Sequence, residues 1–254
     1  MRYTLVTIIS IVIFCSCTNN APQIVNELYS PDPDSLFIQC KQLSGIGDLI
    51  IGKTTFSQAQ KNELLKDIDS FNKDNNLYSG YWGEADKGGA YDKACWLEKN
   101  AKDIKQISTP IIPKVKIGDI ELDCFDLAFL NGTLVAIYFE TDSPKIRNHY
   151  IEKYGNGRGN YHSFHRNNQS KNNLNALEDI DENRIWENET VCLEYNHKKH
   201  SEIISNKTYN YYSESWYLIT DKCRYNDFTE KLAIWEKEYD TMIANQNAQK
   251  LDLL

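Results

Sequence analysis

Ile120-Glu121-Leu122-Asp123-Cys124-Phe125-Asp126-Leu127-Ala128-Phe129-Leu130-Asn131-Gly132-Thr133-Leu134-Val135-Ala136-Ile137-Tyr138-Phe139 is the stretch on which the fold turns. Ile120, Leu122 and Cys124 alternate with Glu121 and Asp123, the two-residue period of a half-buried strand. The apolar face then changes phase and continues at Phe125, Leu127 and Phe129, which predicts a β-bulge at Cys124-Phe125. Asn131-Gly132 separates this run from Thr133–Phe139. Two apolar runs joined by Asn-Gly predict a hairpin, because both residues tolerate the positive φ of a type I′ turn.

On the N-terminal side, Thr55 and Gln58 have the spacing of a capping box, and Phe56, Ala59, Leu64, Ile68 and Phe71 follow near one helical face. This predicts a helix over 55–72. On the C-terminal side, Ser143-Pro144 starts a second helix whose apolar positions are Ile146, Tyr150 and Tyr154, and Gly155 ends it. From Gly155 to Asn183 the chain is polar, with Asn167, Asn168, Asn172, Asn173 and Asn175 close together, and reads as a long loop. Strands are expected at Ile185–Tyr195 and Tyr209–Thr220. A last helix opens at Asp227-Phe228-Thr229-Glu230, carries Phe228, Leu232, Trp235, Tyr239 and Met242, and frays from Gln246. Strand runs between helices argue for an α+β fold, an antiparallel sheet with helices packed on one face.

The first residues bear on location. Arg2 precedes the apolar run Leu5–Phe14, which ends in Cys15-Ser16-Cys17, the layout of a secretory signal. The run is shorter than the about 20 residues that cross a bilayer. Phe14-Cys15-Ser16-Cys17 resembles the lipobox of bacterial lipoproteins, although Phe14 stands where Leu is usual and Cys15 where a small residue is usual. The resemblance implies a signal peptide over 1–16, a lipid on Cys17, and a membrane anchor for the mature protein. Thr18–Gln23 is polar and holds no acidic pair, which points to the periplasmic face, and 17–35, with Ser30-Pro31-Asp32-Pro33-Asp34, reads as the tether. The single domain then spans 36–245.

Ile51-Gly52-Lys53-Thr54-Thr55-Phe56, followed by the hairpin at Phe129–Val135, resembles the helix-then-hairpin unit of SmpA-type outer-membrane-assembly lipoproteins and of the β-lactamase-inhibitor proteins, over about residues 46–140. The resemblance implies a binding role, with 141–245 as a diverged second half.

Composition narrows the function classes. The chain has 254 residues, 28 Lys+Arg against 36 Asp+Glu and a net charge of −8, so it lacks the basic footprint of a nucleic-acid binder. Setting Cys15 and Cys17 aside leaves Cys40, Cys95, Cys124, Cys192 and Cys223, an odd set in which at least one thiol is unpaired and whose pairing the sequence leaves open. Gly47-x4-Gly52-Lys53-Thr54 has the spacing of a phosphate-binding loop. Phe37–Leu43 before it is a poor buried strand, however, and Asp48-Leu49-Ile50-Ile51 is acidic and bulky where small residues are needed, so the match is read as chance.

Tyr78, Tyr81, Trp82, Tyr91 and Trp96 lie among glycines and are candidate ligand-binding aromatics. His162-Ser163-Phe164-His165 and His197-Lys198-Lys199-His200 are the clustered imidazoles, weak candidates for a metal because they lie in polar, Lys- and Asn-rich stretches without an evident third ligand. No cofactor is expected. The expected function is that of a lipid-anchored periplasmic protein-interaction or ligand-binding module with an envelope protein as partner. The alternative is an envelope hydrolase or metal-dependent enzyme with its site near 155–200.

Overall fold

The computed structural model describes residues 23–31, 33–66, 93, 96–97, 99–108, 114–170, 173–204 and 207–251. In chain order its elements are β1 (Gln23–Tyr29), α1 (Pro33–Gln39), β2 (Gly45–Ile46), β3 (Leu49–Ile50), α2 (Phe56–Ala59), β4 (Ile104–Ser108), β5 (Lys116–Ile117), β6 (Ile120–Glu121), β7 (Cys124–Leu130), β8 (Thr133–Glu140), α3 (Pro144–Tyr154), β9 (Arg158–Ser170), β10 (Asn173–Glu187), β11 (Val191–Ile204), β12 (Lys207–Asp221) and α4 (Tyr225–Leu251).

Asn131 and Gly132 take φ of 50° and 76°, and β7 and β8 form the expected hairpin around them. The bulge lies elsewhere. Register shifts between Ala128 and Phe129, where Val135 is the extra residue of β8, while Cys124-Phe125 opens β7 in regular pairing with Glu140 and Phe139. The phase change in the sequence instead marks the break between β6 and β7.

An eight-stranded antiparallel sheet, ordered β1-β9-β10-β11-β12-β8-β7-β4, runs through the molecule. It joins strands from both sequence halves, so 46–140 and 141–245 are not separate layers. Its faces differ by residue parity. Phe125, Leu127, Phe129, Ile137, Phe139, Tyr217, Leu193, Tyr195 and Trp186 belong to one buried cluster together with Leu36 of α1 and Ile146, Tyr150 and Tyr154 of α3. Ala128, Leu130, Val135 and Ala136 belong to another, with Leu97, Ala101 and Phe228 of α4. The helices therefore cover both faces rather than one. The cause is visible in β7, where every residue from Phe125 to Leu130 is buried. A strand apolar at both parities must be covered on both sides.

On the first face, Phe139 and Tyr217 stack with centroids 4.6 Å apart, and the Trp186 indole N–H donates to Gly155 O at 2.8 Å. Gly155 takes φ 73° where α3 ends, as its sequence position predicts. On the second face, α4 is held by Arg224 Nη2 donating to Leu130 O at 3.0 Å and by Trp235 Nε1 donating to Asp103 at 3.1 Å. The helix runs on to Leu251, past the expected fraying point.

Other expectations are corrected. Within 55–66 the expected helix is broken into α2, a single turn with the capping box formed between Thr55 and Gln58, and a second start that is helical at Lys66; residues 67–72 lie outside the described residues. It is interrupted because Asn62 caps a new 3-10 turn, Glu63–Leu65, through its side chain. Ile68 and Phe71 lie outside the described residues. Residues 155–183, read as loop, are mostly β9 and β10; their ladder of backbone bonds forms without apolar alternation. The expected strand Ile185–Tyr195 contains a reversal at Asn188-Glu189-Thr190. Asn188 builds it, accepting from the Thr190 and Val191 amides at 2.9 and 2.8 Å and donating to Cys40 O and Leu43 O at 2.9 and 2.8 Å. The stretch read as tether contributes β1, the edge strand, so the sheet begins six residues after Cys17.

Gly47 lies in the turn of the β2–β3 hairpin and no helix starts at Gly52-Lys53-Thr54. The Gly52 amide is spent on Leu134 O at 2.8 Å, and those of Lys53 and Thr54 on Ile50 O, so they do not cradle phosphate.

Asn188→Ala strips five hydrogen bonds, counting that from the Thr190 hydroxyl, from a buried corner and is expected to lower stability by about 2–4 kcal/mol in urea unfolding. An unchanged midpoint would remove Asn188 from this role.

Candidate functional site

The helix cover of the second face stops short. Its cluster reaches β4, β7, β8 and the edge of β12, leaving β1 and β9–β11 with residues that are half-buried or exposed rather than sealed. Cross-strand partners share a face, so the pairing places the open side chains in rows. One row runs Asn160, Asn183, Asn196, Trp216, Glu140. The next runs Asn26, His162, Asp181, Lys198, Glu214, and the third Ile24, Phe164, Asp179, His200, Tyr212. Asn183 Nδ2 donates to Asn196 Oδ1 at 3.0 Å, the His162 ring shares a hydrogen bond with Asn26, and His200 is paired with Asp179. Trp216 lies 6.3 Å from the Tyr138 ring, whose hydroxyl donates to Glu140. Burial and that carboxylate drive the Tyr138 pKa far above the usual phenol value, so it remains a donor at neutral pH.

This surface is amide-rich and laterally hydrogen-bonded. It offers donors and acceptors around one large ring, the composition of a recognition surface.

The paired histidines are divided by the strands that carry them. A spacing of three in a strand sends the two side chains to opposite faces. His162 and His200 therefore share the open face, and His165 and His197 the other. Neither H-x-x-H can close on one ion, and among the described residues no group of three or more His, Cys, Asp or Glu is placed to hold a metal.

On the covered face, Glu182 is 1% exposed and receives Arg147 Nη1 from α3 at 2.8 Å and Arg184 Nε from its own strand. Arg184 also donates to Asn156 O at 2.7 Å and lies 4.1 Å over the Tyr29 ring. The Tyr195 hydroxyl bonds to Arg147 and Ser215, and burial pushes its pKa up to about 12. Ser215 Oγ is 2.8 Å from His197 Nδ1. That contact has the form of a nucleophile and its base. Ser215 is buried in mid-strand, however, and the neighbouring acid, Glu182, is committed to two guanidiniums. The network serves to seat α3 on the sheet.

Of the aromatic candidates, Trp96 is described and packs against Trp235 at 6.0 Å and Tyr239 at 5.7 Å beside the second core cluster. Tyr78, Tyr81, Trp82 and Tyr91 lie outside the described residues, as does Cys17. Cys40, Cys124, Cys192 and Cys223 are unpaired thiols. Burial raises Cys40 to about 11 and Cys192 to about 12, so both stay protonated and poorly nucleophilic at neutral pH. No helix among the described residues is long and apolar enough to cross a membrane.

Sequence reading missed Asn183, Asn196 and Trp216 because two of them lie in polar stretches. The available signal was the alternation Tyr212, Glu214, Trp216 against Ser215, Tyr217, Ile219. No family model, curated protein or solved structure matches the chain.

Glu182→Gln leaves two guanidiniums without their carboxylate and is expected to cost about 3–5 kcal/mol in urea unfolding. His197 makes the stability depend on pH. Desolvation lowers its folded pKa below the unfolded value, outweighing Glu182. The unfolded chain therefore takes up more protons as the pH falls below about 6.5, and stability is lost in acid. The urea midpoint should drop more steeply between about pH 7 and 5 in wild type than in His197→Gln; parallel profiles would exclude the histidine.

Proposed function

We propose that this protein is a lipid-anchored periplasmic binding module that presents the open sheet face to a partner protein of the envelope. The observation that carries this reading is the division of one sheet. The half built on β4, β7 and β8 is buried from both sides, whereas β10–β12 are buried over most of their length on the α3 side only, and β1 and the described side chains of β9 are half-buried or exposed on both. The free side carries Asn183, Asn196, Trp216, Lys198 and Glu214 in laterally paired rows. Antiparallel sheets commonly leave one face in water, but a bare face needs neither a central indole nor amides bonded to one another across strands. Such groups are pre-ordered, so a partner that docks on them loses little side-chain entropy.

The lipobox-like Phe14-Cys15-Ser16-Cys17 supports the anchor, and the resemblance of 46–140 to periplasmic binding modules points the same way. A Cys bearing two or three acyl chains would hold the domain at the membrane far more firmly than a single chain.

The test combines crosslinking in intact cells with recovery of the tagged lipoprotein. A stoichiometric envelope protein is expected with wild type and lost with the triple change Asn183→Ala, Asn196→Ala, Trp216→Ala at an unchanged urea midpoint. Cys17→Ser should move the protein from the membrane to the soluble fraction. Recovery of the same partner by the triple variant would overturn the assignment of the face.

A further inference from the structure

The eight-stranded sheet has two edges, and they are built differently. β4, at one edge, is five residues long, is buried at three of them, and carries Lys105, whose ammonium lies 4.6 Å over the Phe56 ring. Short length, a lysine and cover are the usual protections of an edge strand. β1, at the other edge, has none of them. Its seven residues, Gln23–Tyr29, pair with β9 in unbroken register from Gln23↔His165 to Tyr29↔Gly159, without a proline, a bulge or a basic residue. Among the described residues no backbone group bonds to its outer side.

Large apolar side chains stand on this bare edge. Ile24 is 54% and Leu28 81% exposed. The two-residue period puts both on the open face, with Asn26 between them. Asn26 is the middle residue of β1, and its Oδ1 lies 2.5 Å from His162 Nδ1.

The strand is therefore self-complementary about Asn26. A second copy of β1 laid antiparallel on the first, with a two-fold axis at Asn26, overlaps all seven residues. Gln23 then stands opposite Tyr29, Ile24 opposite Leu28, Val25 opposite Glu27, and Asn26 opposite itself. Directly opposed side chains lie about 5 Å apart, so an isoleucine meets a leucine on each side of the axis. Glu27 is the one charged residue of the strand, takes the Tyr29 hydroxyl at 2.5 Å, and faces Val25 rather than another acid. Other registers lose this match. A shift by one residue sets the covered side of one copy beside the open side of the other, and a shift by two pairs Ile24 or Leu28 with Asn26. In the matched register the row Asn26, His162, Asp181, Lys198, Glu214 continues across the axis into its own copy.

We infer that β1 is a self-association edge, along which two copies of this chain pair antiparallel over Gln23–Tyr29 about a two-fold axis at Asn26. The contact satisfies the outer backbone groups of both edge strands, and being isologous it closes at two copies. It goes beyond the reading of the open face given above, uses none of Asn183, Asn196 and Trp216, and does not require a lipid on Cys17.

Cysteine crosslinking of the purified full chain tests both the contact and its register, in a Cys223→Ser background that removes the exposed native thiol. A disulfide needs Cα atoms within about 7 Å. Asn26→Cys is expected to give a covalent dimer on mild oxidation that the background protein lacks. Ile24→Cys and Leu28→Cys should crosslink when co-expressed and not singly, because like positions lie about 13 Å apart along the strand. By sedimentation, wild type is expected at twice the mass of Ile24→Lys, whose urea midpoint stays that of wild type because Ile24 is exposed. A wild type that stays monomeric well above micromolar concentration overturns the dimer. So does crosslinking by Ile24→Cys alone, or capture of a foreign chain at Asn26→Cys in place of a second copy.

Discussion

A carboxylate at 1% exposure has to be neutralised where it stands, and Glu182 is the point from which the covered half of the sheet is organised. Arg147 reaches it from α3 and Arg184 from the same strand, so one buried acid ties the helix to β10. Once α3 is seated, Tyr150 lies 5.9 Å from Trp186 and 6.1 Å from Tyr217, and the aromatic column that fills this face follows. Arg184 extends the same linkage to Tyr29 of the edge strand and to the Asn156 carbonyl where β9 begins. An ion pair of this kind adds little over an apolar substitute of equal shape, but losing one member is costly. Its effect is to dictate which helix lies on which strands.

The other consequence of that arrangement is on the far side of the same strands. The two-residue period means that while Glu182, Arg184 and Trp186 face α3, Asp181, Asn183 and Ile185 face outward. On β7 and β8 the outward positions are Ala128, Leu130 and Ala136, and α4 covers them. On β9–β12 they are amides, charges, Phe164, Ile185, Tyr212 and Trp216, half-buried or exposed, and only beside β8, at Leu218 and Thr220, are they covered. The open face and the core are two sides of one set of strands. A slip of register by one residue would bury the amide row and expose the aromatic column.

Much of the local structure was legible in the sequence because short-range chemistry decides it. Asn131-Gly132 specifies its turn through φ alone, Pro144 and Gly155 bound α3 for the same reason, and the Thr55/Gln58 box forms within four residues. The burial of Phe125–Leu130 on both faces was not legible, because Asp126 interrupts the apolar run and the sequence reads as the alternating face Phe125, Leu127, Phe129. The polar 155–183 segment was not legible as strand, since nothing in its own composition buries it. Its backbone is satisfied by pairing β9 with β10, by β11 beyond the Asn188–Thr190 turn, and by β1 from a distant part of the chain. The same holds for the histidine pairs: a spacing of three brings ligands together on a helix and separates them on a strand, so their meaning depends on the element around them.

The sequence by itself determined the hairpin, the ends of α3 and the last helix. Each depends on dihedral preference or on periodicity within a few residues. Only the tertiary structure decided that the helices take both faces, that Glu182, Arg147 and Arg184 meet, that Asn183, Asn196 and Trp216 form one row, and that β1 pairs with β9 at the edge of the sheet. Those facts are set by which strands pair and in what register, a choice made by the burial of the whole sheet and not by any segment of it.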